Sequence, residues 1–146
     1  MTGHERTHQP LLGDTAFLLA RANAHSLAAA HAALAAHGLR VRSYTVLALA
    51  VAEVRLSQRD IAEYLRLDPS QVVALVDELQ QRRLVAREPD PHDRRAKVVV
   101  ATPEGRDLHA RAEASAHAAE RDVLALLDAD EQATLRDLLH RLAFPV

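Results

Sequence analysis

Arg82 and Arg83, followed by Arg94, Arg95 and Lys97, crowd cations into a short stretch of the second half of the chain. Guanidinium and ammonium groups at that density donate well to phosphate oxygens, so the chemistry on offer is polyanion binding, and Arg59 can add a contact. Ser70, Gln71, Val73 and Ala74 lie just upstream. A glutamine can bond an adenine edge, valine and alanine can touch thymine methyls, and a serine hydroxyl can reach a phosphate or a base. Ser57, Gln58 and Asp77 complete the residues expected at a DNA surface, together with Asp93 beside Arg94.

Nine histidines are the other chemically suggestive set. His25, His31 and His37 are six residues apart, hence about 240° apart around a helix, and cannot converge on one ion. His109, Glu113 and His117 share a helical face, but the two histidines are about 12 Å apart along it. A solvated face is the expectation, with no metal site and no cofactor. The chain holds four glycines. It carries no phosphate-cradling glycine loop, no G-x-S-x-G, no H-E-x-x-H and no paired-carboxylate signature, so an enzyme is not expected. Absence of cysteine excludes disulfides and thiol switches.

At 146 residues and 49% apolar content the chain can bury one core. Net charge is -2 overall. Residues 55–102 hold nine Lys/Arg and eight Asp/Glu, net +1, leaving nine and twelve, net -3, elsewhere. Any polyanion surface is therefore a local patch. Apolar runs are too short to span a bilayer, and a cytoplasmic location away from membranes is the expectation.

The elements that must carry these residues follow from period and caps. Residues 1–10 show no apolar period and read as a loosely docked arm. A long helix begins at Asp14, with Phe17, Ala20, Ala24, Leu27, His31 and Leu34 on a stripe expected to be buried, and Gly38 stops it. Ser43 is expected to cap a second helix running to about Val54, followed by an extended link at Arg55 and Leu56. Ser57 with Asp60 opens a third helix, and Asp68, Pro69 and Gln71 open a fourth reaching Arg82. Extended segments at 85–88 and 96–101 flank a charged tip at 89–95, forming a hairpin. Thr102 and Pro103 start a long alanine-rich helix with Leu108, Ala112, Ala116, Ala119, Val123 and Leu126 in its stripe. Asp128 with Glu131 caps the last helix.

Helix, helix, tight turn, helix, charged hairpin is the winged helix-turn-helix order. Residues 56–105, LSQRDIAEYLRLDPSQVVALVDELQQRRLVAREPDPHDRRAKVVVATPEG, resemble the DNA-binding lobe of the MarR family of bacterial regulators, most diagnostically in DPHDRRAK at 90–97. The resemblance implies a mainly α fold with a small β-hairpin wing. A lobe at 43–102 would be flanked by dimerisation helices at 11–40 and 103–146, all one domain. It implies a homodimer contacting through Leu11, Leu12, Phe17, Val123, Leu127, Leu135, Leu138, Leu139, Leu142 and Phe144. It also implies double-stranded DNA, a pseudo-palindromic operator, as partner, with Arg94 in the minor groove and Asp93 holding the wing tip. The function implied is a repressor relieved by a small aromatic or anionic effector, with His31 and Tyr44 as candidate pocket residues. Two features depart from the family pattern. Ala74 and Glu78 stand where a basic residue is frequent, which makes guanine contacts from this helix unexpected. Arg83 stands where glycine is common. Because a left-handed arginine costs about 1–2 kcal/mol, the helix is expected to run one residue further or turn differently, leaving Arg83 facing phosphate. The competing readings are a winged-helix module that binds protein, suggested by the acidic residues on the fourth helix, and a metal-responsive regulator using histidines.

Overall fold

The computed structural model describes residues 10–146; the expected loose arm at 1–10 falls, apart from Pro10, outside them. Six helices and one hairpin follow in the order α1 (Thr15–Ala35), α2 (Val41–Val51), α3 (Gln58–Leu65), α4 (Pro69–Gln81), β1 (Val85–Pro89), β2 (Lys97–Ala101), α5 (Pro103–Leu124) and α6 (Ala129–Ala143). The fold class is mainly α with an antiparallel two-stranded wing, in the register Val85 to Ala101 and Pro89 to Lys97.

Local chemistry starts most helices where the sequence places them. Asp14 accepts the Phe17 N–H at 3.0 Å and so serves the first turn of α1. Ser57 and Asp60, Asp68 and Gln71, and Asp128 and Glu131 form reciprocal capping boxes at α3, α4 and α6. Their carboxylates gain from it. Hydrogen bonds from Ser57 hold the Asp60 carboxyl below its ordinary value, and Ser70 does the same for Asp68. At α2 the expectation shifts by three residues: Arg40 is the cap and Ser43 sits in the first turn, fully buried. Its hydroxyl accepts from the Arg40 N–H at 2.9 Å and donates to the Arg40 carbonyl at 3.0 Å.

Three helices end on a left-handed residue that folds the next leucine back beneath them. Gly38 does this for α1 with φ 64°, Arg66 for α3 with φ 54° and Arg83 for α4 with φ 61°. In each case the following N–H bonds the carbonyl five residues back: Leu39 to Leu34, Leu67 to Ala62 and Leu84 to Leu79, at 2.9–3.2 Å. Arg83 thus corrects the sequence expectation, for α4 ends at Gln81 and the arginine takes the glycine conformation. Tertiary contacts over-determine it. Leu84 is buried, and its carbonyl accepts the Thr102 N–H at 3.0 Å. The Thr102 hydroxyl donates to the Arg83 carbonyl at 2.6 Å. A Cβ added to Gly105 would come within 1.9 Å of the Leu84 oxygen, so α5 starts hard against this turn. Arg55, expected to be extended, is also left-handed, with φ 52°. Both residues of that link join the wing: Leu56 accepts the Val99 N–H at 2.9 Å, and the Arg55 guanidinium donates to Glu88 Oε2 of β1 at 3.2 Å.

The chain forms two compact units, residues 30–116 and the remainder, whose boundaries fall inside α1 and α5. Residues 30–116 hold the buried core of the described residues: Leu34 and Leu39, Val46, Leu47 and Ala50 of α2, Ile61 and Ala62 of α3, Val72, Leu75, Val76 and Leu79 of α4, then Leu84, Val85, Val99, Leu108 and Ala112. In the other unit no described residue is buried. Phe17 is half-buried, and Ala20, Ala24, Leu27 and His31 are exposed, so the first turns of the α1 stripe lack the expected cover among the described residues. Leu126 lies past the end of α5 and is 95% exposed.

Candidate nucleic-acid interface

On α4 the buried stripe is Val72, Leu75, Val76 and Leu79, which turns Ser70, Gln71, Val73, Ala74 and Asp77 outward. Two of these help to build the helix start: the Ser70 hydroxyl donates to Asp68 at 2.5 Å, and Gln71 Oε1 accepts the Asp68 N–H at 3.4 Å. Val73 and Ala74 make no such bonds and are exposed.

The wing tip is built from side-chain-to-backbone bonds. Asp90 Oδ1 accepts the His92 N–H at 2.9 Å, and Asp93 Oδ1 accepts the Arg95 N–H at 3.0 Å. The Ala96 N–H reaches the Asp93 carbonyl at 3.0 Å. Each aspartate fixes the residue two ahead, so Arg94 is held at the apex by its neighbours' hydrogen bonds. The side chains of Arg94, Arg95 and Lys97 are exposed and bonded to nothing among the described residues, as are those of Arg59 and Arg83.

Arg87 was no sequence candidate, yet it organises this face. From β1 its guanidinium donates to Gln58 Oε1 of α3 at 2.7 and 3.0 Å, to Asp77 Oδ1 of α4 at 2.6 Å and to Gln80 of α4. Its side chain is 19% exposed against 59% for Asp77, so the guanidinium is shielded while the carboxylate of the pair stays open to solvent. Gln58 and Asp77, expected at the DNA surface, are thereby engaged within the protein. The signal was present in the strand alternation: Val85 is buried, so the residue two on shares its inward face and needs partners.

Two further expectations change. The guanidinium of Arg82 turns away from the wing and donates to the Gly38 carbonyl at 2.7 Å and the His37 carbonyl at 3.4 Å. His109 is buried, contrary to the solvated face expected of it. Its ring stacks on Tyr44 with centroids 5.4 Å apart, and its Nε2 stands 3.5 Å from a Glu113 oxygen with no hydrogen-bond partner among the described residues. The other pocket candidate, His31, is exposed. Among the described residues no three His, Asp or Glu side chains gather as metal ligands, and no helix is long and apolar enough to cross a membrane.

Comparison with known proteins bears on the same segments. The MarR family profile matches residues 37–96. A candidate transcriptional regulatory protein for the hcr operon of Thauera aromatica is 30% identical over 139 residues, which are 94% of this chain and 84% of that protein. A MarR-family transcriptional regulator from Rhodococcus sp. RHA1 superposes with a TM-score of 0.88 at 43% identity, covering 94% of this chain and 99% of the other. CouR from Rhodococcus jostii RHA1, bound to p-coumaroyl-CoA, gives 0.85 at 42% identity over 94% and 97% of the two chains. A Mycobacterium tuberculosis MarR family protein solved in complex with DNA gives 0.73 at 28% identity over 88% and 96%.

Proposed function

Since the chain belongs to the MarR family of transcriptional regulators, we propose that it binds a pseudo-palindromic operator as a homodimer and represses transcription until an aromatic acyl effector releases it. Each lobe would place α4 in the major groove and the 90–97 wing beside the minor groove. The observation that carries this reading is the wing tip, where an aspartate-braced turn presents Arg94 and Arg95 with no side-chain partner among the described residues. A guanidinium held in this way suits the negative potential of a narrow A·T-rich groove. The action is binding in the cytoplasm, with no bond made or broken.

The protein-binding alternative rested on the acidic residues of α4, and both have internal partners: Asp77 pairs with Arg87, and Glu78 with Arg40 at 2.6 Å. Neither is left over to recruit a basic partner. For the dimer, support comes from Leu138, Leu139, Leu142 and Phe144, which are 40–68% exposed on and just beyond α6. For the effector, support comes from the p-coumaroyl-CoA held by the Rhodococcus relative and from Tyr44 stacked on a buried imidazole whose Nε2 has no hydrogen-bond partner among the described residues.

Titration of the DNA upstream of the gene in a mobility-shift assay at several salt concentrations tests the core of this. Binding should weaken steeply with salt, Arg94→Ala should reduce the slope of log affinity against log salt by about one, and p-coumaroyl-CoA should release the DNA. Absent or salt-independent binding would refute the proposal.

A further inference from the structure

Glu78 on α4 and Arg82 at its C-cap stand four residues apart, and both reach the turn between α1 and α2. Arg82 donates to the carbonyls of Gly38 and His37, and Glu78 Oε2 accepts from Arg40 at 2.6 Å. The fit is close: with Gly38 at φ 64°, an added Cβ would stand 3.3 Å from an Arg82 nitrogen. The same turn is tied on another side to α5, because His37 Nε2 and Ser115 Oγ share a hydrogen bond of 2.9 Å. Each link is modest by itself, since Arg40 is largely exposed and Glu78 only half-buried, and such pairs contribute little in isolation. What matters is their convergence on four consecutive residues, 37–40, between the last core residue of α1, Leu34, and the start of α2 at Val41. An arginine at the end of a helix presented to phosphates could equally have reached out to them, yet its two terminal nitrogens are directed to carbonyls of the α1–α2 turn.

We propose that Arg82 and Glu78 are positioning residues that fasten the C-terminal half of α4 to the α1–α2 turn, and that Ser115 and His37 make this turn the route by which a change at α5 reaches the DNA-reading helix. The proposal rests on the DNA-binding reading above and deepens it. Two contacts on one turn fix the tilt of α4 about its capped N-terminus, so losing them misplaces Gln71, Val73 and Ala74 without removing a contact to DNA.

Mobility-shift titrations of the full-length protein on its upstream DNA, over a salt series, separate positioning from contact. Arg82→Ala should weaken binding about tenfold with the salt slope of the wild type. Arg94→Ala on the same DNA should lose about one unit of slope. Arg82→Lys, which keeps the charge but loses the forked donor, should resemble Arg82→Ala in affinity and guards against an unfolded alanine variant. Ser115→Ala should weaken binding about threefold, and combined with Arg82→Ala should add nothing further, as expected of groups in one linkage. A slope reduced by about one in Arg82→Ala, an unchanged affinity, full rescue by lysine, or losses that multiply in the double variant would each overturn the proposal. If the wild type itself shows no salt-dependent binding, the DNA-binding reading falls and takes this inference with it. Wild-type binding with an Arg82 variant that behaves like Arg94→Ala removes this inference alone.

Discussion

Residues 30–116 and the remainder of the chain solve the burial of apolar surface in opposite ways. The first unit closes on itself, with Val46, Leu47, Val72, Val76 and Leu79 fully enclosed and helix ends satisfied by caps and left-handed stops. The second has regular helices, a capping box on α6 and leucines at helical spacing, yet no described residue of it is buried. Equal quality of local signals with unequal burial shows what those signals encode. Caps and periodicity specify a helix, whereas the surface it covers is specified elsewhere, here most simply by a second copy.

The sharpest way to break this contrast is a cavity in the closed unit. Leu79→Ala should cost about 2–5 kcal/mol, seen as a lower denaturant midpoint for the lobe and, through misplaced α4, as lost DNA binding. An equivalent change on α6 should leave lobe packing alone. Leu138→Glu with Leu142→Glu should raise the dimer dissociation constant about a hundredfold, measured by sedimentation, with little change in helical content. If the pair stays dimeric, α6 is not the covering surface. A smaller effect sharpens the comparison within the lobe. Arg83→Gly removes a left-handed side chain and should stabilise by about 0.5–1 kcal/mol, read as a raised melting temperature. Any accompanying loss of DNA affinity measures what the cation contributes there. The smallest effect is acidic. Asp60 and Asp68 have carboxyls held below 3.8 by their caps. Their contribution is therefore fully present above the unfolded value and is lost as pH falls through the folded one. Their share of the stability should be constant above about pH 5 and decline below it, less steeply in Ser57→Ala.

Much of this was legible because it is local. The four-residue patterns Ser57–Asp60, Asp68–Gln71 and Asp128–Glu131 place three helix starts, and DPHDRRAK places the hairpin. What escaped the sequence depends on distance along the chain. Arg87 meets partners 29, 10 and 7 residues away, and only the folded lobe brings them to one guanidinium. Arg83 was misread for a related reason: intrinsic preference argues against its conformation, and contacts from Thr102 and Leu84 outweigh that preference. His31 and Leu27 share a stripe with Leu34, but enclosure within the chain reaches only Leu34. Periodicity marks such a stripe without saying how far along the helix it is covered.

The Arg87 network also bears on how this protein could be redirected to other sequences. Gln58, Asp77 and Gln80 anchor the wing to both helices, while Ser70 and Gln71 take part in the α4 cap. Substituting any of these mixes a change of preference with a change of architecture. Val73 and Ala74 have neither duty. Those two positions can be varied nearly free of the fold, and a library confined to them should yield folded variants at a far higher rate than one that includes Gln58 or Asp77.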